Sequence, residues 1–317
     1  MITTRRRACA LIGATATIGL PNLPFAQARL SYDLQPKPAG PGIWMIEGST
    51  DYFSMDNGGA IVNCVLLQGD SGLIVIDTGP SRRFGEALAG VARTLDLRGV
   101  SAVVNTHHHP DHFFGNQVFA TQPIHALGDT IRLAQDEGDG FADNMYRLLG
   151  DWMRGTEVVP PRNVLDGGEV TIDGRAFTVL PLSGHTAADM ALLDQRSGLL
   201  IAGDLVFHDR APTTPSADLA QWSAALDTLE ATNAAAILPG HGPLDQAGAS
   251  IAQTRAYLDW LNTTLRQSAR DGLDMIEVMQ LPLPERFAAM GAQPDEYQRS
   301  VSHLFPDIEL AVLPRAN

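Results

Sequence analysis

Apolar residues fall in short bursts separated by turn-forming polar clusters, with a few longer stretches of helical spacing between them. After an extended, proline-containing lead-in over residues 29–41, Ile43 to Glu47 reads as a short strand. Ala60 to Gln68 and Leu73 to Ile76 flank Gly69-Asp70-Ser71-Gly72, which predicts a hairpin with suitable turn chemistry. Arg82 to Leu95 predicts a helix with Ser81 as its N-cap, and Val100 to Val104 a buried strand ending at Asn105. Short β segments are expected within Asn116–Ala126. Asp129 to Arg154 reads as mostly helical, interrupted at Gly138-Asp139-Gly140, with a proline-containing loop over Val158–Asn163. Val170–Ile172 and Ala176–Leu180 flank Asp173-Gly174, a second hairpin signal, and Ala191–Leu193 and Leu199–Ala202 flank Gln195-Arg196-Ser197-Gly198. A helix from Asp218, its cap, to Thr232, a strand at Ala236–Leu238 and a long helix over Ile251–Arg270 follow. Pro282, Pro284 and Pro294 break up a mixed remainder. Strand pairs alternating with helices in two similar halves predict an α/β fold, two sheets back to back with helices outside. Each hairpin face must be covered, and the layer rules allow a four-layer helix–sheet–sheet–helix (αββα) sandwich.

Composition narrows the class. The 317 residues suffice for one large core, and 44% hydrophobic with 18% charged residues is ordinary for a globular protein. Residues 29–317 are expected to form one domain, with 246–317 a helical C-terminal extension. The net charge of −14, with Lys37 the only lysine, argues against a nucleic acid as substrate, because phosphate binding needs basic patches. Residues 1–28 read as an export signal. Arg5-Arg6-Arg7 is a basic start, Ala8 to Leu20 a mildly apolar stretch, and Phe25-Ala26-Gln27-Ala28 a small-x-small cleavage pattern. Thr4 with the paired arginines is similar to a twin-arginine signal, although the usual Phe and Leu are missing or displaced; a general secretory signal is the other reading. Gly13, Gly19 and Pro21 break the apolar stretch, so stable membrane insertion is not expected. The expected location is the periplasm. Cys9 would leave with the signal, and Cys64 lies in an apolar strand, so no intrachain disulfide is expected after cleavage.

The chemistry concentrates at Thr106-His107-His108-His109-Pro110-Asp111-His112. His107, His109, Asp111 and His112 follow a strand directly, and imidazole nitrogen with carboxylate oxygen is a donor set that zinc prefers. Alternate residues of an extended segment share a side, so His107 and His109 can reach one ion. Pro110 keeps His109 extended before the chain turns to present Asp111 and His112. Three later loops each set a polar residue behind a glycine at a strand end: Gly184-His185, Gly203-Asp204 and Gly240-His241. Each alone reads as a turn. Together with the first motif they place five of the nine histidines and two aspartates at strand ends.

This order, with Asp77-Thr78-Gly79 ahead of it, resembles the metallo-β-lactamase superfamily over roughly residues 40–245. The resemblance implies the αββα fold and two Zn²⁺ ions per chain at one rim between the sheets. His107, His109 and His185 would hold one ion, Asp111, His112 and His241 the other, and Asp204 would bridge. It further implies a zinc-bound hydroxide attacking an acyl carbon, a zinc-polarised carbonyl, and Asp111 as the catalytic residue that orients the nucleophile and carries a proton to the leaving group. Aspartate at position 204, where many zinc β-lactamases carry cysteine or serine, resembles the thioester, lactone and other ester hydrolases of the superfamily. Asp56–Cys64, Ile76–Leu88, Thr106–Phe119 and Gly203–Pro215 also resemble periplasmic zinc metallohydrolases of quinoprotein relay systems, which are similar to sulfur-oxidation-linked thiol hydrolases. That implies a functional link to a periplasmic quinoprotein dehydrogenase.

The expectation is therefore an exported dizinc hydrolase of a small ester-, thioester- or lactone-like molecule. The competing readings are a β-lactamase-like amide hydrolase, a mono-iron persulfide oxygenase, and a non-catalytic accessory protein in quinone-cofactor handling. His208 and Arg210 are placed either at the substrate pocket, on an anionic group, or in a loop making local bonds. Tyr52 and Phe53 are a candidate flap over the metals, against simple packing. His108 should point beneath the site, His125 should be a hydrogen-bonded strand residue, and His303 should lie at the surface. Trp152, Met145 and Met153 are expected in the core or at its rim.

Overall fold

The computed structural model describes residues 30–312. β1 (Pro36–Gly40), β2 (Ile43–Ile46), β3 (Cys64–Gln68) and β4 (Leu73–Ile76) form an antiparallel run, followed by α1 (Arg82–Leu95). Next come β5 (Val100–Val104), α2 (Pro110–Phe113), β6 (Ile124–Ala126), α3 (Gly128–Leu149) and β7 (Asn163–Val164); β4 to β7 pair in parallel. The second half holds β8 (Gly168–Ile172), β9 (Arg175–Leu182), β10 (Asp189–Asp194), β11 (Leu199–Phe207), α4 (Leu219–Glu230) and β12 (Ala236–His241). α5 (Ser250–Arg270), α6 (Met275–Met279), α7 (Glu285–Ala288) and α8 (Asp295–Val312) complete the described chain.

β1 to β7 make one sheet in sequence order, and the other runs β12-β11-β10-β9-β8. The period of two decides what each face meets. Val65, Leu67, Ile74, Ile76 and Val104 of the first sheet face Phe177, Val179, Met190, Leu192 and Ile201 of the second. The alternate residues Cys64, Leu66, Val75 and Val103 pack outward on Phe84, Leu88 and Ala92 of α1. Leu200, Ala202 and Ile237 pack outward on Trp222, Leu226, Tyr257, Leu261, Tyr297 and Phe305, from α4, α5 and α8. The predicted αββα layering is thus observed. β11 is buried along its whole length, as a strand covered on both faces must be.

Several local expectations change. Part of the lead-in is strand β1, paired Pro36 to Ile46; at a sheet edge a missing proline N–H is tolerated. Only Cys64–Gln68 of the expected 60–68 strand is paired, because Asn63 turns away and its N–H donates to the Gly240 carbonyl. Phe114–Phe119 forms a 3-10 turn, so β6 is the only strand within 116–126. α3 runs unbroken through Gly138-Asp139-Gly140, with a 3-10 turn after it. β11 and β12 run beyond Ala202 and Leu238 to Phe207 and His241, so Asp204 and His241 lie on strands. The expected export segment, 1–28 with its Ala28 boundary and Cys9, lies outside the described residues. Among those, no helix is long and apolar enough to cross a membrane, and Cys64 is a buried free thiol. Burial pushes that thiol's pKa well up.

Candidate metal centre

The seven expected ligands converge. His107, His109, His185 and Asp204 have donor atoms within 4.8 Å of one another, and so do Asp111, His112 and His241. Asp204 lies between the groups. Its Oδ1 is 3.1 Å from His112 Nε2, and its Oδ2 is 3.3 Å from His185 Nε2 and 3.2 Å from His241 Nε2. Asp111 Oδ2 is 3.4 Å from His241 Nε2 and 3.7 Å from His112 Nε2. The His185 Nε2 and His109 Nδ1 atoms stand 2.8 Å apart.

Backbone geometry brings these side chains in. Gly203 adopts φ +52, and a Cβ there would meet Thr106 Cβ at 2.9 Å. The register between β11 and β12 shifts on both sides of Gly203, a bulge that re-aims Asp204. Gly240 serves differently from the tight turn expected of it. Its φ is ordinary, but a Cβ would lie 2.0 Å from Asp204 Oδ1, so the residue leaves room for the carboxylate. Asn63 Nδ2 donates to the Pro239 and Gly242 carbonyls, pinning the end of β12 from the first half of the chain.

Outer partners set the imidazole orientations. His112 Nδ1 donates to Asp77 Oδ2 at 2.8 Å, His185 Nδ1 to the Thr213 carbonyl at 3.0 Å, and His241 Nδ1 to the Ile61 carbonyl at 2.7 Å. In each, the Nδ1 proton is committed outward, so Nε2 is the nitrogen that faces the centre. His107 Nε2 is buried with no hydrogen-bond partner, and His112 Nε2 and Asp204 Oδ1 lack one in spite of their proximity. Buried polar atoms without a partner are what a bound cation would satisfy, so the donor set fits a metal. Asp77 also accepts from the Thr106 N–H and hydroxyl at 2.9 and 2.8 Å, which holds it at φ +59. Burial keeps His107 and His109 well below the usual imidazole range and takes His185 down to about 3. These rings are neutral at pH 7 and ready to ligate. Burial opposes charge on His112 as well, but Asp204, Asp77 and Asp111 outweigh it and hold that ring well above the usual range. Burial would raise Asp204, yet His241, His112 and His185 hold its carboxyl well below the usual range.

A cavity of about 300 Å³ opens over the cluster, lined by His109, Asp111, Asp204 and His241 together with Tyr52, Phe53 and Phe141. A larger groove, about 760 Å³, lies between the start of α3 and α4 and contains none of the ligands. Tyr52 and Phe53 do reach the cavity, ring centroids 5.9 Å apart and edge to face. His208 and Arg210 do not line it, against the pocket placement considered for them. His208 Nδ1 donates to the Pro243 carbonyl at 2.9 Å. Arg210 is fully buried and drawn inward by Glu296, 3.2 Å away, with its guanidinium near the Phe207 ring. The arginine that borders the cavity is Arg299 of α8, beside His303. His303 is at the surface as expected, but on the cavity rim. No sequence signal marked Arg299, because only packing brings α8 there. Asp77 had a signal in Asp77-Thr78-Gly79, though not its role as the partner of His112. His108 packs beneath the site with Nε2 3.3 Å from Glu137, whereas His125 Nδ1 has no hydrogen-bond partner, contrary to expectation. Trp152, Met145 and Met153 are buried, and Met145 also touches the cavity.

Residues 57–241 match the family model of the metallo-β-lactamase superfamily. The chain is 29% identical over 184 residues to the beta-lactamase-like protein 2 homolog of Caenorhabditis elegans, covering 57% of this chain and 56% of the relative. It is 22% identical over 283 residues to a linear primary-alkylsulfatase of Pseudomonas sp., covering 75% and 53%. The chain thus spans a little over half the length of these curated relatives. Among solved structures, the metallo-β-lactamase from Pontibacter korlensis superposes with a TM-score of 0.58 at 22% identity, covering 72% of this chain and 99% of that one. Fold, layer order and the matched span agree: this chain belongs to the metallo-β-lactamase superfamily.

Proposed function

We propose that the protein is a dizinc hydrolase of a small ester-, thioester- or lactone-like substrate. The observation that carries this reading is Asp204, whose carboxylate stands between two groups of buried, inward-facing donors. His107, His109 and His185 would hold one ion, Asp111, His112 and His241 the second, with Asp204 shared. Zinc supplies Lewis acidity, polarising a carbonyl and lowering the pKa of water toward about 7. The chain's own residues do the rest. Asp111 borders the cavity, where it can orient the attacking water, accept its proton and pass it to the leaving group. Phe53, Phe141 and Met145 line an apolar wall that holds the acyl part and excludes bulk water. Thr213 and Asp77, by binding the Nδ1 side of His185 and His112, orient both rings with Nε2 toward the centre.

The test is metal analysis of the purified protein, then a panel of thioesters, lactones, carboxylic esters, β-lactams and alkyl sulfates. Alkyl sulfates are included because of the similarity to the alkylsulfatase. About two zinc ions per chain and turnover within the first three classes are expected. Asp111→Asn should lower kcat by about a hundredfold or more, the usual effect of removing a positioned acid–base group. Full turnover in that variant, or one iron per chain with oxygen consumption, would sink the proposal. We further place the protein in the periplasm on the sequence of residues 1–28, and beside a quinoprotein dehydrogenase on the four stretches named above. Cell fractionation and co-purification with that dehydrogenase test those two points.

A further inference from the structure

Arg299 is the cationic side chain that borders the cavity outside the ligand cluster, and its charge is not spent locally. Its Nη1 lies 3.8 Å from Glu296 Oε2, but Glu296 is nearer to Arg210, at 3.2 Å, and accepts from the Thr213 hydroxyl at 2.7 Å. One buried carboxylate therefore serves two guanidinium groups, and the surplus positive charge belongs to the partly exposed one, Arg299. The remaining carboxylate close to Tyr52, Asp295, is exposed at the start of α8. His303 is the less suited of the two rim groups. Its Nδ1 donates to the Arg299 carbonyl at 3.0 Å, so one of its two ring nitrogens is already committed to the backbone of its own helix. The Tyr52 ring lies 6.0 Å from the Arg299 guanidinium carbon and steadies it. The same cavity, which Asp111 also lines, has an apolar wall that includes Phe141, Met145 and Leu148.

We propose that Arg299 is a specificity-determining residue. It binds a carboxylate that the substrate carries at the far end of an apolar segment from its scissile acyl group. The proposal deepens the hydrolase reading by naming the substrate as an anionic acyl compound, and it rests on metals holding the reactive end. α8 lies beyond the stretch 57–241 that carries the superfamily pattern, so this preference would be a property of this chain's own C-terminal part.

The experiment measures binding rather than turnover, in the zinc-loaded full chain by calorimetry. The probes are 4-sulfanylbutanoate and its neutral counterpart 4-sulfanylbutanamide. The thiolate of each can ligate zinc, and only the first presents a carboxylate to Arg299. The acid should bind more tightly than the amide. Arg299→Gln should weaken the acid about tenfold, the loss of one charge-assisted hydrogen bond, and bring the acid-to-amide ratio toward one. Arg299→Lys should keep part of the preference. Thermal melts check that the variants are folded, and the buried Arg210–Glu296 pair is left in place. Equal affinity for acid and amide, binding of neither probe, or a preference that survives Arg299→Gln overturns the proposal. If the hydrolysis panel fails while the charge preference stands, the hydrolase reading falls and the assignment of Arg299 does not.

Discussion

His112 illustrates how a ligand is made out of two residues. Its Nε2 faces the centre only because its Nδ1–H is committed to Asp77, which is itself held by Thr106. Outer carboxylates of this kind fix ring orientation and raise ligand basicity. Asp77→Asn keeps the shape but offers a weaker acceptor. It can also present an amide N–H to Nδ1, which favours the wrong tautomer. Metal affinity, read by chelator competition, should fall about 10- to 100-fold. An unchanged affinity would mean that Asp77 serves only the φ +59 turn. His107, His109 and the other ligands were legible because their spacing has no packing explanation. For Arg210 the sequence allows both a pocket and local bonds, and only the fold reveals that Glu296 meets it inside.

At the scale of elements, α3 shows where sequence rules and packing part company. Two glycines within three residues predict a break, since each is about 1 kcal/mol worse than alanine in a helix interior. The helix nevertheless persists, because Ala134, Met145 and Leu149 bury one face of it. The two glycines then differ in kind. A Cβ on Gly138 would approach Val158 Cγ1 to 2.5 Å, whereas nothing lies within 4 Å of one on Gly140. Gly140→Ala should therefore stabilise the protein by about 0.5–1 kcal/mol, and Gly138→Ala should destabilise it by about 1–3 kcal/mol through overpacking. Urea midpoints of the two variants check this; shifts of the same sign would contradict the packing account. Helix α1 and its Ser81 cap were fully legible, because cap chemistry and apolar spacing are local.

For the whole molecule, the question is whether the C-terminal helices are an accessory or part of the core. Val278, Phe287, Tyr297, Val301 and Phe305 are buried in the same cluster as Trp222 and Leu261. At about 1.5–3 kcal/mol for each large buried side chain, their loss rivals the entire stability of a typical domain. Ending the chain at Arg270 would also strand the buried Arg210 without Glu296, a further penalty of about 3–5 kcal/mol. The shortened chain should lack a cooperative thermal transition. If it melts cooperatively at a temperature near that of the full chain, the helices are dispensable decoration.

The sequence by itself determined what is local or chemically unambiguous: the hairpin at Gly69–Gly72, the capped helix over Arg82–Leu95, and the donors from His107 to His241. Short-range spacing and side-chain chemistry suffice for these. Tertiary structure alone decided how the helix-breaking glycines of α3 are tolerated and that Asp77 is the partner of His112. It alone turned Arg210 inward and brought Arg299 to the cavity. Those outcomes depend on contacts between residues that are not neighbours in the chain, such as Arg210 with Glu296 and Tyr52 with Arg299, and burial, charge pairing and steric room there are set only when the layers close.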